Sequence, residues 1–243
     1  MIYPIRIQNF ESLINDGYVY VDKTALVYQM ATTGRYYFLS RPRRFGKSLL
    51  LSTLEAYLSG KKELFRGLAI EKLEHKWEEH PILHLDLNTA KYDAMDSLNH
   101  VLDDSLKKWE EIYGTFPTEV TFALRFKGIV ERAYEKTGHR VVILVDEYDT
   151  PLLEAYTQGY WDEMIATCRQ IFHNAFKQND YYSRAIITGV ARISKNSLFS
   201  DLNNLEVVTT TSEKYSSSFS FREGQQGQEK SQKHRPHWKG DSK

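Results

Sequence analysis

Residues 141–145 read VVILV, five aliphatic side chains in a row, and Asp146, Glu147, Tyr148 and Asp149 follow at once. A strand with one face in water alternates apolar and polar residues. An unbroken aliphatic run belongs to a strand covered on both faces. Such a strand needs a layer above it and a layer below, and the rest of the chain has the patterns to supply them. Strand-like runs at 18–21, 36–40, 82–87 and 185–188 alternate with helical patterns at 47–58, 97–112, 119–136 and 161–178. Strands separated by helices imply βαβ crossovers and a mainly parallel sheet. The predicted fold class is therefore α/β, in three layers, with a mostly parallel sheet.

In such a sheet ligands bind beyond the carboxyl ends of the strands. The run YYFLS at 36–40 ends in RPRRFGKS, and a leucine-rich helical pattern follows. A phosphate-binding loop needs this order: a strand that stops, a loop whose amides converge, and a helix whose free N–H groups and dipole face the anion. On this reading Arg43, Arg44, Phe45, Gly46, Lys47, Ser48 and Leu49 form the nucleotide cradle. Lys47 is the cation at the β- and γ-phosphates, and Ser48 is a magnesium ligand. Gly46 lets the backbone approach phosphate without a Cβ. Arg41 stands where the G-x-x-x-x-G-K-[ST] pattern has its first glycine, a poor residue for a backbone with φ > 0. Gly-Lys-Ser also occurs in loops that bind nothing. The strand before it and the helix after it favour the phosphate site.

The second half of that site is a carboxylate beside the metal. The aliphatic run delivers Asp146 to a strand end, as a magnesium-holding aspartate requires. Glu147 is next, placed to polarise a water for attack on the γ-phosphate. A solvated acidic turn after a buried strand would read the same way. The presence of both halves in the expected order favours the site. Phosphotransferases acting on a bound hydroxyl have no general need of a second acid here, whereas hydrolytic ATPases do. Tyr148 and Asp149 fit structural roles better than catalytic ones. The run at 185–188 ends at Thr188, with Arg192 a short way on. Thr188 is placed to touch the water or γ-phosphate, and Arg192 to counter developing negative charge. Strand-end solvation and ordinary surface charge account for those two equally well.

Composition narrows the field. Lysine plus arginine equals aspartate plus glutamate at 32 each, so no net charge argues for wholesale binding to nucleic acid or membrane. One cysteine, Cys168, cannot form an internal disulfide or a thiolate zinc site, which fits a reducing cytoplasm. No apolar run is long enough to span a bilayer. Glu11 interrupts the N-terminal segment before a leader's apolar core develops. From Ser216 the chain is rich in Ser, Gln, Lys and Gly and nearly without aliphatics. Too little apolar surface remains there to offset the entropy of ordering, so a disordered tail is expected over 216–243 after a domain over 1–215.

Five pieces, FESLINDGYVYVDKTALVYQM, YYFLSRPRRFGKSLLLSTLEAYLSGKKELFRGLAI, PILHLDLN, VVILVDEYDTPL and ITGVARISKNSLFSDLNNL, together resemble the bacterial AAA-ATPase-like family. The resemblance covers roughly residues 3 to 215. In that family the loop characteristically reads RPRRFGKS, so Arg41 is a family trait. The resemblance implies a P-loop NTPase of the additional-strand class, in which the strand ending at Thr188 separates the other two site strands. It implies ATP and Mg²⁺ as ligands. Through the nuclease-like domain that usually follows, it also implies nucleic acid or a nuclease-like partner. The family continues past residue 217 into a helical lid and then that domain, and no PD-(D/E)xK arrangement appears here. A truncated or frame-shifted reading frame with weak turnover is the corresponding expectation. ATP hydrolysis leads; a nucleotide-gated interaction module and a poorly folding, non-functional fragment are the alternatives.

Overall fold

The computed structural model describes residues 7–40, 46–176, 180–190 and 205–208. Five strands form one all-parallel sheet: β1 (Tyr36–Ser40), β2 (Ile82–Asp86), β3 (Val141–Asp146), β4 (Tyr182–Gly189) and β5 (Leu205–Val208). Their spatial order is β2-β3-β4-β1-β5. The aliphatic run forms β3, and every one of its residues is buried. Its odd-numbered side chains Val141, Ile143 and Val145 join one apolar cluster, while Val142 and Leu144 join another. The period-2 alternation of a strand sends them to opposite faces.

Helices α1 (Phe10–Asn15), α2 (Thr24–Thr33) and α3 (Lys47–Leu58) cover the face of Val142 and Leu144. In α3, Leu50, Leu51, Leu54 and Leu58 recur at helical spacing and are nearly fully buried against it. The opposite face carries α4 (Met95–Tyr113), α5 (Phe122–Thr137), α6 (Thr150–Gln158) and α7 (Trp161–Phe176). A bidentate Arg125–Glu110 pair, with Asp103 on the same guanidinium, ties α5 to α4. The N-cap Thr121 and the left-handed Gly138 bound α5.

Residues 18–21 are not a strand, contrary to their run of aromatic and β-branched residues. Tyr18 makes a single bridge after the Asp16–Gly17 turn, and the segment connects α1 to α2. Its apolar residues pack a connector: Tyr20 stacks edge-on against Phe10 with ring centroids 5.0 Å apart. The strand expected at 82–87 stops one residue sooner, at Asp86, and the one at 185–188 extends to Tyr182–Gly189. Helices α1, α2 and α6 and strand β5 are additions to the expected elements. Residues 177–179 and the tail expected over 216–243 lie outside the described residues.

One contact locks α3 to the outer strand. His84 Nδ1 of β2 meets Glu55 Oε2 of α3 at 2.9 Å. Burial pulls the imidazole's pKa down, but the Glu55 carboxylate, with Asp146 and Asp86 nearby, outweighs it, and the net shift is upward from 6.5. The folded state thus favours protonated His84. Its stabilisation is complete below pH 6.5 and is lost as pH rises through the raised folded value. Glu55→Gln should therefore cost stability in acid, at most about 1 kcal/mol for so exposed a pair. The gap between variant and parent in urea denaturation should close as pH rises past the raised His84 value. A pH-independent gap would contradict this role.

Candidate functional site

Gly46 has φ +72° and caps α3 from the left-handed region, and as a glycine it brings no side chain to the helix's first amides. A Cβ on Gly46 would meet nothing within 4 Å, so the glycine is required here by backbone conformation. The turn it makes starts α3 with Lys47 and Ser48, the former only 4% exposed. The positive dipole end of α3 therefore opens toward the carboxyl end of β3.

Across this helix start lies the end of β3. Asp146 is buried, and its Oδ1 accepts hydrogen bonds from Thr188 Oγ1 and, at 3.1 Å, from the Glu147 amide. That amide also reaches Thr188 Oγ1 at 3.0 Å. These bonds hold Glu147 at φ +51°, in the left-handed region where a residue with a Cβ costs roughly 1 kcal/mol or more. The turn swings the Glu147 carboxylate over Lys47, with Oε1 3.2 Å from Lys47 Nζ. Burial raises the Glu147 pKa above its ordinary value; Lys47 opposes that, while Asp146 and Asp149 reinforce it.

Gly46, Lys47, Ser48, Leu49, Asp146 and Glu147 line one cleft of about 820 Å³. Residues expected to share a site are thus together, although their segments are far apart in sequence. Thr188 is fully buried and bonds to Asp146, directly behind the cleft. Tyr148 packs edge-on against Phe38 at 5.2 Å, and Asp149 Oδ2 accepts from the Val190 amide at 2.9 Å. Arg43, Arg44, Phe45 and Arg192 lie outside the described residues, as does Arg41. Cys168 is buried in the core, which pushes its thiol up to about 12 and removes it as a nucleophile.

The cleft also contains four residues that sequence reasoning passed over: Ile7, Gln8, Asp86 and Asn88. For Asp86 the signal existed, since ILHLD ends a strand in a carboxylate just as VVILVD does. Extending the strand to Leu87 concealed it. Nothing in the residues around Ile7 and Gln8 marks them as cleft-lining.

The donor set suits a hard cation. Ser48, Asp146, Asp86 and Asn88 offer oxygen, and neither histidine nor cysteine lines the cleft. Among the described residues no cluster of three or more His, Cys, Asp or Glu could hold a metal alone. Magnesium commonly takes one or two carboxylates and completes its shell with water and phosphate oxygens, so this set fits it.

Gly189 adds a steric constraint. A Cβ there would lie 2.5 Å from Tyr148 Cε1 and 2.7 Å from Asp149 Oδ1. Gly189→Ala should therefore displace the turn after β3 and cost about 1–3 kcal/mol in urea denaturation. Parent-like stability would show that the turn has room this packing denies it.

Residues 4–199 match the profile of a family described as "Predicted AAA-ATPase". A protein of Azotobacter chroococcum mcd 1, named "Uncharacterized protein in vnfD 5'region", is 37% identical over 211 residues. That alignment covers 86% of this chain and 41% of that protein, so the chain spans about two-fifths of its relative's length. Among the described residues no helix is long and apolar enough to cross a membrane.

Proposed function

The chain belongs to the AAA-ATPase-like family, and from that premise we propose that it binds ATP with magnesium and hydrolyses it. The observation that carries this reading is the shared cleft. Lys47 and Ser48 at the start of α3 face Asp146 and Glu147 at the end of β3. The position of β4, between β3 and β1, supports the additional-strand class of P-loop NTPases.

In this proposal the α3 amides and Lys47 bind the phosphates, with Arg43, Arg44, Phe45, Gly46 and Leu49 completing the cradle. Ser48 and Asp146 hold the magnesium, which when bound supplies positive charge against the β- and γ-phosphates. Thr188 fixes the Asp146 carboxylate by its hydrogen bond. Glu147 accepts the proton of the attacking water. Burial raises its proton affinity above that of an exposed glutamate, which suits a base. Arg192 stabilises the charge that develops on the departing phosphate.

The Lys47–Glu147 ion pair favours a second reading. While the pair is closed, the base and the phosphate cation occupy each other. Nucleotide must part them, so ATP would shift a local conformation even without useful turnover. This describes a nucleotide-gated interaction module, and for the whole protein a nuclease-like or nucleic-acid partner would receive the signal.

Lys47→Ala removes a charged hydrogen-bond donor worth about 1.5–3 kcal/mol. ATP affinity by calorimetry should fall roughly tenfold or more. Unchanged affinity would misplace the phosphate site. Glu147→Gln keeps the shape and removes the base. It should bind ATP at least as well as the parent while phosphate release drops about a hundredfold. Equal phosphate release from parent and Glu147→Gln would favour the gated module over the hydrolase.

A further inference from the structure

We propose that Asp86 is a second carboxylate of the magnesium site, accepting hydrogen bonds from the metal's water ligands beside Asp146. The inference rests on the nucleotide-binding reading above and adds a positioning residue to it.

The sheet itself puts the two acids together. β2 and β3 are parallel neighbours, and Asp86 is the register partner of Asp146. Register partners on adjacent parallel strands project to the same face, about 4.8 Å apart. That face is the one under α3. Two residues before Asp86, His84 reaches Glu55 of α3. Two residues before Asp146, Leu144 packs in the cluster that contains Leu50 and Leu54 of the same helix. Both carboxylates thus lie at the carboxyl ends of their strands, on the side where Ser48 begins α3, and both line the same cleft.

A count of lone pairs separates their tasks. Asp146 Oδ1 is committed to Thr188 Oγ1 and the Glu147 amide. Asp86 Oδ1 accepts from the Asn88 amide at 2.8 Å. Among the described residues the second oxygen of each acid accepts no hydrogen bond, and no cation pairs with Asp86. Glu147 is held by Lys47. Magnesium dehydrates reluctantly and keeps several waters, each with two protons to place. Asp146 alone offers one remaining oxygen. Asp86 doubles the acceptors on that side and adds a charge that a divalent cation relieves.

Manganese stands in for magnesium in the test, titrated into the full chain by electron paramagnetic resonance with a non-hydrolysable ATP analogue present. Asp86→Asn keeps the Oδ1 acceptor of the Asn88 turn, so the fold is retained, and a thermal melt without ligand checks this. Loss of an outer-shell partner typically weakens metal binding 10–100-fold. A loss of about tenfold or more is expected in Asp86→Asn, with metal-free analogue affinity unchanged and partial recovery in Asp86→Glu. Manganese affinity within about twofold of the parent would overturn the proposal. So would lost turnover with intact manganese affinity, which would make Asp86 act on the attacking water. If the parent's own analogue binding ignores the metal, the underlying magnesium reading fails as well. A parent that responds beside an unaltered Asp86→Asn sinks only the role of Asp86.

Discussion

Burial of β3 on both faces is the constraint on which the rest of the molecule depends. Five aliphatic side chains cannot leave water unless helices close over the strand from two directions. The chain meets this with α1–α3 on one side and α4–α7 on the other. The same burial decides where chemistry can occur. Along β3 there is no polar atom free to react until Asp146, at the point where the strand leaves the apolar layers. The parallel arrangement brings the ends of β1, β2 and β4 to that level, so helix amides, a lysine and carboxylates converge without any long loop to carry them.

Within the cleft, rigidity and opposition are combined. Thr188 sits in the fully buried row of β4 and fixes both Asp146 and the amide of Glu147. The left-handed backbone at Glu147 is over-determined by those bonds, as strained residues at functional sites generally are. The side chain it presents is held differently, by an ion pair with Lys47 that a competing anion could break. A fixed backbone with a replaceable side-chain contact is what a site needs if it is to respond to a ligand without deforming its sheet.

The central strands and α3 were legible in the sequence because their patterns are pure: an unbroken aliphatic run, and leucines at helical spacing after a glycine. The grouping of Lys47, Ser48, Asp146 and Glu147 was legible because strand ends in a parallel sheet share one edge. Residues 18–21 misled because a half-buried connector of tyrosines and valines carries the same residue types as a strand, and only its lack of regular strand pairing tells them apart. β5 escaped notice because four residues at a sheet edge carry little periodic signal. Asp86 was hidden by a one-residue error in strand length, and the φ of Glu147 depends on hydrogen bonds that no local pattern encodes.

The strand order has a consequence for how the chain is made. β1 is synthesised long before its partners β4 and β5, which lie near the other end of the described residues. β2 likewise must wait for β3. Emerging from the ribosome, Tyr37, Phe38 and Leu39 therefore have no strand to join until Ala185, Ile186 and Ile187 have followed them. Contacts so distant along the chain form slowly, and an apolar strand left waiting is open to wrong partners. Lys47 and Ser48 begin the helix that follows that strand in sequence. They are translated early and meet Asp146 and Glu147 late, so the cleft comes into being only after β3 and the strand that joins it to β1 have been made.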